Sequence, residues 1–339
     1  MTGWLTGWGN RKSHVISAQT GAGSDYQACI KVYKTTGVDG TESWNGLTIG
    51  KVYVGSKCRD DFGDIRFTGS NGTTELDYWM EELSSGVYAI FWIEVKDSLE
   101  TDPVTIYVYY SKSGATYLDD YTNLQHGENT FLFYDDFSQV DVDWTNKWVS
   151  TDHTLYSIEN GKLKALTTVD LTKCLNTQTK FSGGFCVEIL MRDAVSPLGQ
   201  FYLNFEGTLA KVTWKDYVYL DWHNSRLAVD IAGSQSVIAY TPDTSSYFKA
   251  KYECPATGNA RATWYLTGVQ KLTKTAAPTL RSAYLYILSY DVLNICYADD
   301  VFVRKYISPE PLHSDWGIEE AQVNSAGSIV QLALEMGII

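Results

Sequence analysis

The chain reads as all-β: two tandem β-sandwich domains, jelly-roll-like, followed by a short C-terminal apolar segment. Three observations predict this. Short runs alternate apolar and other side chains with the period of two that marks a half-buried strand, and turn residues punctuate them. Aromatic residues reach 14%, with 24 Tyr and 11 Trp, and these types suit a pleated surface. No stretch carries the periodicity of a long amphipathic helix. At 339 residues, two domains fit the usual domain size.

The first domain is expected over residues 1–112. Tyr26, Ala28, Ile30 and Val32 alternate with Gln27, Cys29, Lys31 and Tyr33. Asn71-Gly72 falls between two strand-like runs, a strong hairpin signal. Asn71-Gly72-Thr73 is formally a glycosylation sequon as well, and the turn reading takes precedence. Val87, Ala89, Phe91, Ile93 and Val95 share one face, with Tyr88, Ile90, Trp92 and Glu94 on the other, so this strand is expected to be central. Alternation stops after Ser111, and residues 113–130 are read as a linker.

The second domain is expected over residues 131–307, opening with Phe131–Phe137 and turning early at Glu159-Asn160-Gly161. Strands follow around 185–192, 200–205, 217–222, 226–231, 247–254, 262–266 and 284–289, closing with 297–304. Residues 308–339 form a tail. Val330, Leu332, Leu334, Met336 and Ile338 alternate as in a strand, while Ile329, Leu332, Ala333 and Met336 equally share a helix face. An apolar end of either kind has to be covered, by its own chain or by a neighbouring subunit in an oligomer.

Five motifs recur together in one family. They are Trp8-Gly9-Asn10-Arg11-Lys12, Cys58-Arg59-Asp60-Asp61-Phe62-Gly63-Asp64-Ile65-Arg66-Phe67, Leu76–Glu82, Tyr88–Val95 and Thr105–Tyr110. Over residues 4–112 the chain resembles domain-of-unknown-function family 2341. The resemblance implies a β-sandwich found on archaeal and bacterial surface proteins and in phage proteins, often followed by a concanavalin/laminin-G-like jelly roll. It implies no activity. Residues 131–307 resemble that jelly roll in their opening Asp-Asp-Phe, their Glu-Asn-Gly hairpin and their closing Asp-Asp-Val.

Composition narrows the function. A formal net charge of −13 leaves no basic field for nucleic acid. No run approaches the length of a membrane span. The first eight residues lack a basic region and an apolar core, so no secretory signal is read there. The expected place is therefore a virion released by lysis, with an extracellular or cell-surface location as the alternative. The six cysteines show no Cys-x-x-Cys, which disfavours zinc and redox sites. They are read as free thiols, with disulfides such as Cys29–Cys58 left open.

Catalytic signatures are missing. There is no Gly-x-Ser-x-Gly, His-Glu-x-x-His or P-loop, and Gly21-Ala22-Gly23 lacks a third glycine. Related glycosidases carry paired acids on one strand. Here Glu188-Ile189-Leu190-Met191-Arg192-Asp193 places Met191 and Arg192 where acids are needed. The five histidines are isolated in sequence. No catalytic residue is therefore assigned and the protein is expected to be no enzyme. Tyr217, Tyr219 and Asp221 share one strand face next to Trp214, the pairing of rings and polar groups that binds sugars; packing is the competing reading for each ring. Asp136 and Asp300 lie on first and last strands expected to be neighbours, where a structural calcium would sit; turn capping is the alternative. The expected partners are other virion proteins or further copies of the chain, and a surface polysaccharide.

Overall fold

The computed structural model describes residues 3–115, 125–193, 199–209, 212–221, 224–240, 245–291 and 295–322. The regular structure of the described chain is almost entirely strand. It divides into two compact units: one from described parts of residues 1–43, 48–130 and 311–339, the other from residues 44–47 and 131–310. No helix among the described residues is long and apolar enough to cross a membrane. The apolar run 329–339 lies outside the described residues.

In the first unit the strands are β1 (Asn10–Ile16), β2 (Tyr26–Tyr33), β3 (Gly40–Trp44), β4 (Leu47–Tyr53), β5 (Arg66–Thr68), β6 (Tyr78–Ser84), β7 (Tyr88–Val95) and β8 (Val104–Tyr110). One sheet runs β3-β4-β2-β7-β6, with β2 and β4 parallel. β7 is flanked by β2 and β6 and is buried on both faces, as its two-sided apolar pattern requires. The other sheet joins β5, β8 and β1. Phe67 of β5 lies 5.4 Å from Phe91 of β7, so the two sheets share a core. Asn71-Gly72 does turn the chain, with Gly72 in the left-handed region at φ 74°. It closes a short hairpin, with Thr68 bridged antiparallel to Glu75, the Gly69 N–H donating to the Thr74 carbonyl at 3.0 Å and the Leu76 N–H to the Phe67 carbonyl at 2.9 Å. The chain then passes from β5, paired with β8, to β6, paired with β7 in the other sheet. A six-residue helix, α1 (Gln125–Thr130), lies within the stretch read as linker.

The Cys58–Phe67 segment is organised by Asp64, which is buried. Its carboxylate accepts backbone N–H groups from Arg59 at 2.8 Å, Ser111 at 3.0 Å and Lys112 at 3.4 Å. Its carbonyl takes the Trp8 indole N–H at 2.9 Å. Arg59 pairs with Asp61 and Lys34 with Asp60, so the charges that resemble a binding edge in sequence mostly serve one another.

The segment after Pro311 returns to the first unit. Residues His313–Trp316 and Glu320–Ala321 both pair antiparallel with β1. His14 of β1 meets His313 across this pairing, Nε2 to Nδ1 at 2.8 Å, and the Trp316 ring stacks on His14 at 3.9 Å. Two histidines that are isolated in sequence are thus brought together. Burial and the neighbouring His313 hold His14 down to about 3, and burial holds His313 down to about 4.

The second unit contains β9 (Phe133–Asp135), β10 (Trp148–Val149), β11 (Tyr156–Ile158), β12 (Leu163–Leu166), β13 (Leu175–Thr177), β14 (Phe181–Ser182), β15 (Phe185–Asp193), β16 (Gly199–Glu206), β17 (Asp216–Asp221), β18 (Arg226–Ile231), β19 (Ser234–Ala239), β20 (Phe248–Cys254), β21 (Ala260–Leu266), β22 (Val269–Ala276), β23 (Ser282–Asp291) and β24 (Ile295–Lys305). One sheet runs β10-β13-β23-β16-β17-β18-β19 with β14 beside β23. The other runs β11-β12-β24-β15-β20-β21-β22 with β9 beside β24. Their inner faces form one core, in which Phe201, Leu203 and Phe205 of β16 meet Phe185, Val187 and Ile189 of β15. Phe205 stacks on Tyr252 at 4.0 Å across that core. The Glu-Asn-Gly hairpin forms as the sequence predicts, with Asn160 and Gly161 at φ 54° and 69° between β11 and β12.

All six cysteines are buried free thiols. Burial pushes Cys58 and Cys174 up to about 12, which leaves them unreactive near neutrality.

The histidine contact predicts an acid-sensitive first unit. Both rings stay neutral in the folded state, whereas an unfolded histidine takes its proton below about 6.5, so stability is full above that pH and falls as pH drops towards 3–4. With the two rings independent, the loss from pH 6.5 to 4.5 is at most about 5 kcal/mol. Urea unfolding at those two pH values should show a smaller acid loss in a His14→Gln/His313→Gln variant. Equal losses in the two proteins would refute the assignment.

Candidate binding site on the second unit

The outer face of the β16–β17 pair follows directly from strand alternation. Phe201, Leu203, Phe205, Val218 and Leu220 turn into the core, so Tyr202, Asn204, Tyr217, Tyr219 and Asp221 turn outward. The register places Tyr202 opposite Tyr219, Asn204 opposite Tyr217, and Gln200 opposite Asp221. On the other side of β16, β23 adds Tyr286 opposite Asn204 and Tyr290 opposite Gln200.

Tyr202 and Tyr219 stack at 4.5 Å with their planes 15° apart. Both are buried. Trp214 caps them, its ring 4.7 Å from Tyr202, 5.6 Å from Tyr217 and 5.9 Å from Tyr290. Trp214, Tyr217 and Tyr290 are half-buried, so these three present ring surface while Tyr202 and Tyr219 form the floor. Tyr219 therefore lies on the outer face that the sequence pattern gives it but is covered there rather than displayed. Its hydroxyl accepts from the Gln235 amide at 3.2 Å.

Trp214 sits in the left-handed region at φ 56°, a conformation that a bulky side chain adopts only when its surroundings impose it. The carboxylates on either side supply the constraint. Glu206 at the end of β16 accepts the Thr213 N–H and the Thr213 hydroxyl, each at 2.6 Å, and the Asn204 amide at 2.9 Å. Asp216, fully buried, accepts N–H groups from Ala232 at 2.8 Å and Thr279 at 3.0 Å, and the Tyr252 hydroxyl at 3.0 Å. The short loop carrying Trp214 is thus tied down at both ends.

Asp221 is buried rather than displayed. Its Oδ2 accepts from Arg226 at 2.7 Å and from the Asn224 amide at 3.0 Å. Burial works to raise its carboxyl, but the Asn224 and Arg226 hydrogen bonds prevail and hold it below the usual range. Asp230, buried, accepts the Gly233 N–H at 2.7 Å and is raised, mainly by burial. Tyr217 lies against Asp230 and is pushed up to about 12, first by burial. Tyr202, Tyr290, Glu206 and Asp230 were not singled out from sequence. The alternation of Gln200, Tyr202, Asn204 and Glu206 along β16 was the available signal.

The strand that most resembles a glycosidase acid strand has other work. Glu188 of β15 is fully buried, 3.2 Å from Lys249 and 4.0 Å from Lys251. Its own burial opposes ionisation, yet the surrounding lysines and Arg304 hold the carboxyl below its ordinary range. Leu190 and Arg192 follow on the same face of β15, and the buried Glu253 of β20 shares Lys251 with Glu188.

The first and last strands of this unit do lie side by side, Asp135 opposite Val301. Asp136 and Asp300 occupy the next position along each strand. Asp136 accepts the Ser138 N–H at 3.1 Å, a turn cap. Lys162 pairs with the buried Asp299, and Asp300 also acts on its charge, so an ammonium already serves these acids. Calcium takes 6–8 oxygens. Among the described residues no group of three or more His, Cys, Asp or Glu is placed to hold a metal ion.

Residues 61–151 match the family described as Domain of unknown function (DUF2341). The match is well under half the chain. No curated protein sequence matches. Among solved structures, the chain is similar to a β-glucanase of Bacillus licheniformis (13% identity, 51% of this chain and 98% of that one, TM-score 0.39). It is also similar to the carbohydrate-binding module CBM66 from Bacillus subtilis (14% identity, 47% and 96%, TM-score 0.35). A third is an endo-β-1,3-glucanase from Pyrococcus furiosus (13% identity, 52% and 95%, TM-score 0.40). Likeness at this level carries no argument about chemistry, and the site's properties rest on its own residues.

Glu206→Ala removes the acceptor for three donors and should destabilise the second unit by about 2–3 kcal/mol, with Glu206→Gln losing less. Denaturant melts of the full chain measure this. An unchanged midpoint in Glu206→Ala would show that the loop is held by something else.

Proposed function

We propose that this protein is a non-enzymatic adhesive module that binds glycan on the outer aromatic face of its second unit. Trp214 and Tyr217 stack on sugar rings, with Tyr219 and Asp221 supporting them from beneath. The observation that carries the reading is Trp214, half-exposed in a left-handed conformation that Glu206 and Asp216 maintain around it. A packing residue gains nothing from such strain, whereas a ligand platform requires a fixed ring. The carboxylates of this face are each engaged by hydrogen bonds, which leaves no opposed acid pair for hydrolysis.

The setting we propose is a virion, where the chain serves as a homo-oligomeric fibre, decoration or tail protein. Support for this comes from the family match at residues 61–151, a family that the sequence reading expects in phage proteins. A secreted or cell-surface adhesion module is the rival setting. Binding needs no cofactor in either.

Glycan-array binding by the intact chain should weaken about tenfold or more in Trp214→Ala and in Tyr217→Ala, the effect of losing an aromatic hot spot. EDTA should leave binding intact, and no reducing sugar should be released. Binding unaffected by both substitutions would remove this site. Native mass spectrometry and electron microscopy test the setting: the expected outcome is an oligomer found on particles, and a monomer found only in culture medium selects the rival.

A further inference from the structure

The edge of β1 that faces away from β8 is covered by residues 312–322 of the same chain. Backbone bonds hold this strap along its length. The Ser17 N–H donates to the Leu312 carbonyl at 2.9 Å, the Gly317 N–H to Ser13 at 2.9 Å and the Gln322 N–H to Gly9 at 2.8 Å. The strap brings little apolar burial with it. Leu312 and Ile318 are exposed, and the rings that it sets inward, His313 and Trp316, are half-buried. The core beneath is made by residues such as Ile30, Phe67, Phe91, Ile106 and Val108, none of them on the strap. A segment with few apolar contacts opens locally, at less cost than the unit that carries it.

The contacts of the two histidines fix their protonation. His14 Nδ1 lies 3.2 Å from the Asp315 carbonyl, which can only accept, so His14 carries its proton there. Its Nε2 is therefore the acceptor for the His313 Nδ1–H at 2.8 Å. A second proton on His14 would set two donors face to face and end that bond. A second proton on His313 would make a cation in the same enclosed place.

The charged groups around the pair are already engaged. On the same face of β1, Lys12 is held by Asp39 at 2.6 Å. On β8, the Tyr110 hydroxyl donates at 2.7 Å to Glu319 of the strap, which also pairs with Lys57. β4 presents Gly50, where a Cβ would lie 2.7 Å from His313 Nδ1, and β2 presents Ile30 beside it. Asp315 is exposed. Among the described residues no carboxylate is ion-paired with either imidazole, and the charge that bears on His14 is that of His313.

We infer that residues 312–322 are an acid-released strap: protonation of the His14–His313 pair detaches them from β1 while the rest of the first unit stays folded. The uncovered edge of β1 then offers its N–H and C=O groups to another strand. A released histidine takes its proton below about 6.5, whereas the bound rings resist down to about 4 and about 3. The strap is therefore held above that first value and let go as pH falls below it. This switch belongs to the first unit and does not rest on the glycan reading.

Hydrogen exchange of the intact chain, read by mass spectrometry and corrected for the intrinsic rate at each pH, tests the switch. From pH 6.5 to 4.5, protection over 312–322 should fall more than about tenfold, approaching about a thousandfold where the two rings act independently. Tyr88–Val95 should keep its protection. In His14→Gln/His313→Gln the fall over 312–322 should be smaller than in the wild type. The wild-type comparison decides by itself if that variant fails to fold. A wild-type fall of less than about tenfold over 312–322, or an equal fall over Tyr88–Val95, overturns the inference. A fall in the variant as large as in the wild type does so too.

Discussion

Where a strand ends and a loop begins, the backbone loses its ladder partners, and in this protein a buried carboxylate repeatedly takes their place. Asp64 does so in the first unit, gathering N–H groups from Arg59, Ser111 and Lys112. Glu206 and Asp216 do so in the second, on either side of Trp214. A buried polar group without a partner costs a large share of a domain's stability. These loops consequently have one low-energy arrangement, and the side chains they carry inherit that rigidity.

The same rigidity extends to the carboxylates of the second unit. Asp221 and Glu206 each accept two or three short hydrogen bonds from fixed donors. The second unit presents ring surface on its outer face, held in one geometry by the stacked tyrosines beneath it. Beside Asp299 and Asp300 it is Lys162 that supplies positive charge.

Much of the fold was legible because strand alternation is local. The two-sided apolar pattern of Tyr88–Val95 identified a central strand, and the period of two along β17 separated Val218 and Leu220 from Tyr217, Tyr219 and Asp221. The Asn160-Gly161 turn was equally local. The site was only half legible. Tyr219 and Asp221 lie on the predicted face, yet burial depends on what covers that face, and Trp214 with its loop is brought there by contacts to β16 and β23.

The sequence by itself determined the all-β class, the two-part division and the sidedness of individual strands, since each follows from neighbouring residues and the pleat. Tertiary structure decided which strands meet. It sent the chain from one sheet to the other after Asn71-Gly72, joined His14 to His313 from opposite ends of the chain, and set Lys112 over Trp8. Those contacts depend on long-range pairing and on the charges enclosed with it, and no local pattern of side chains encodes them.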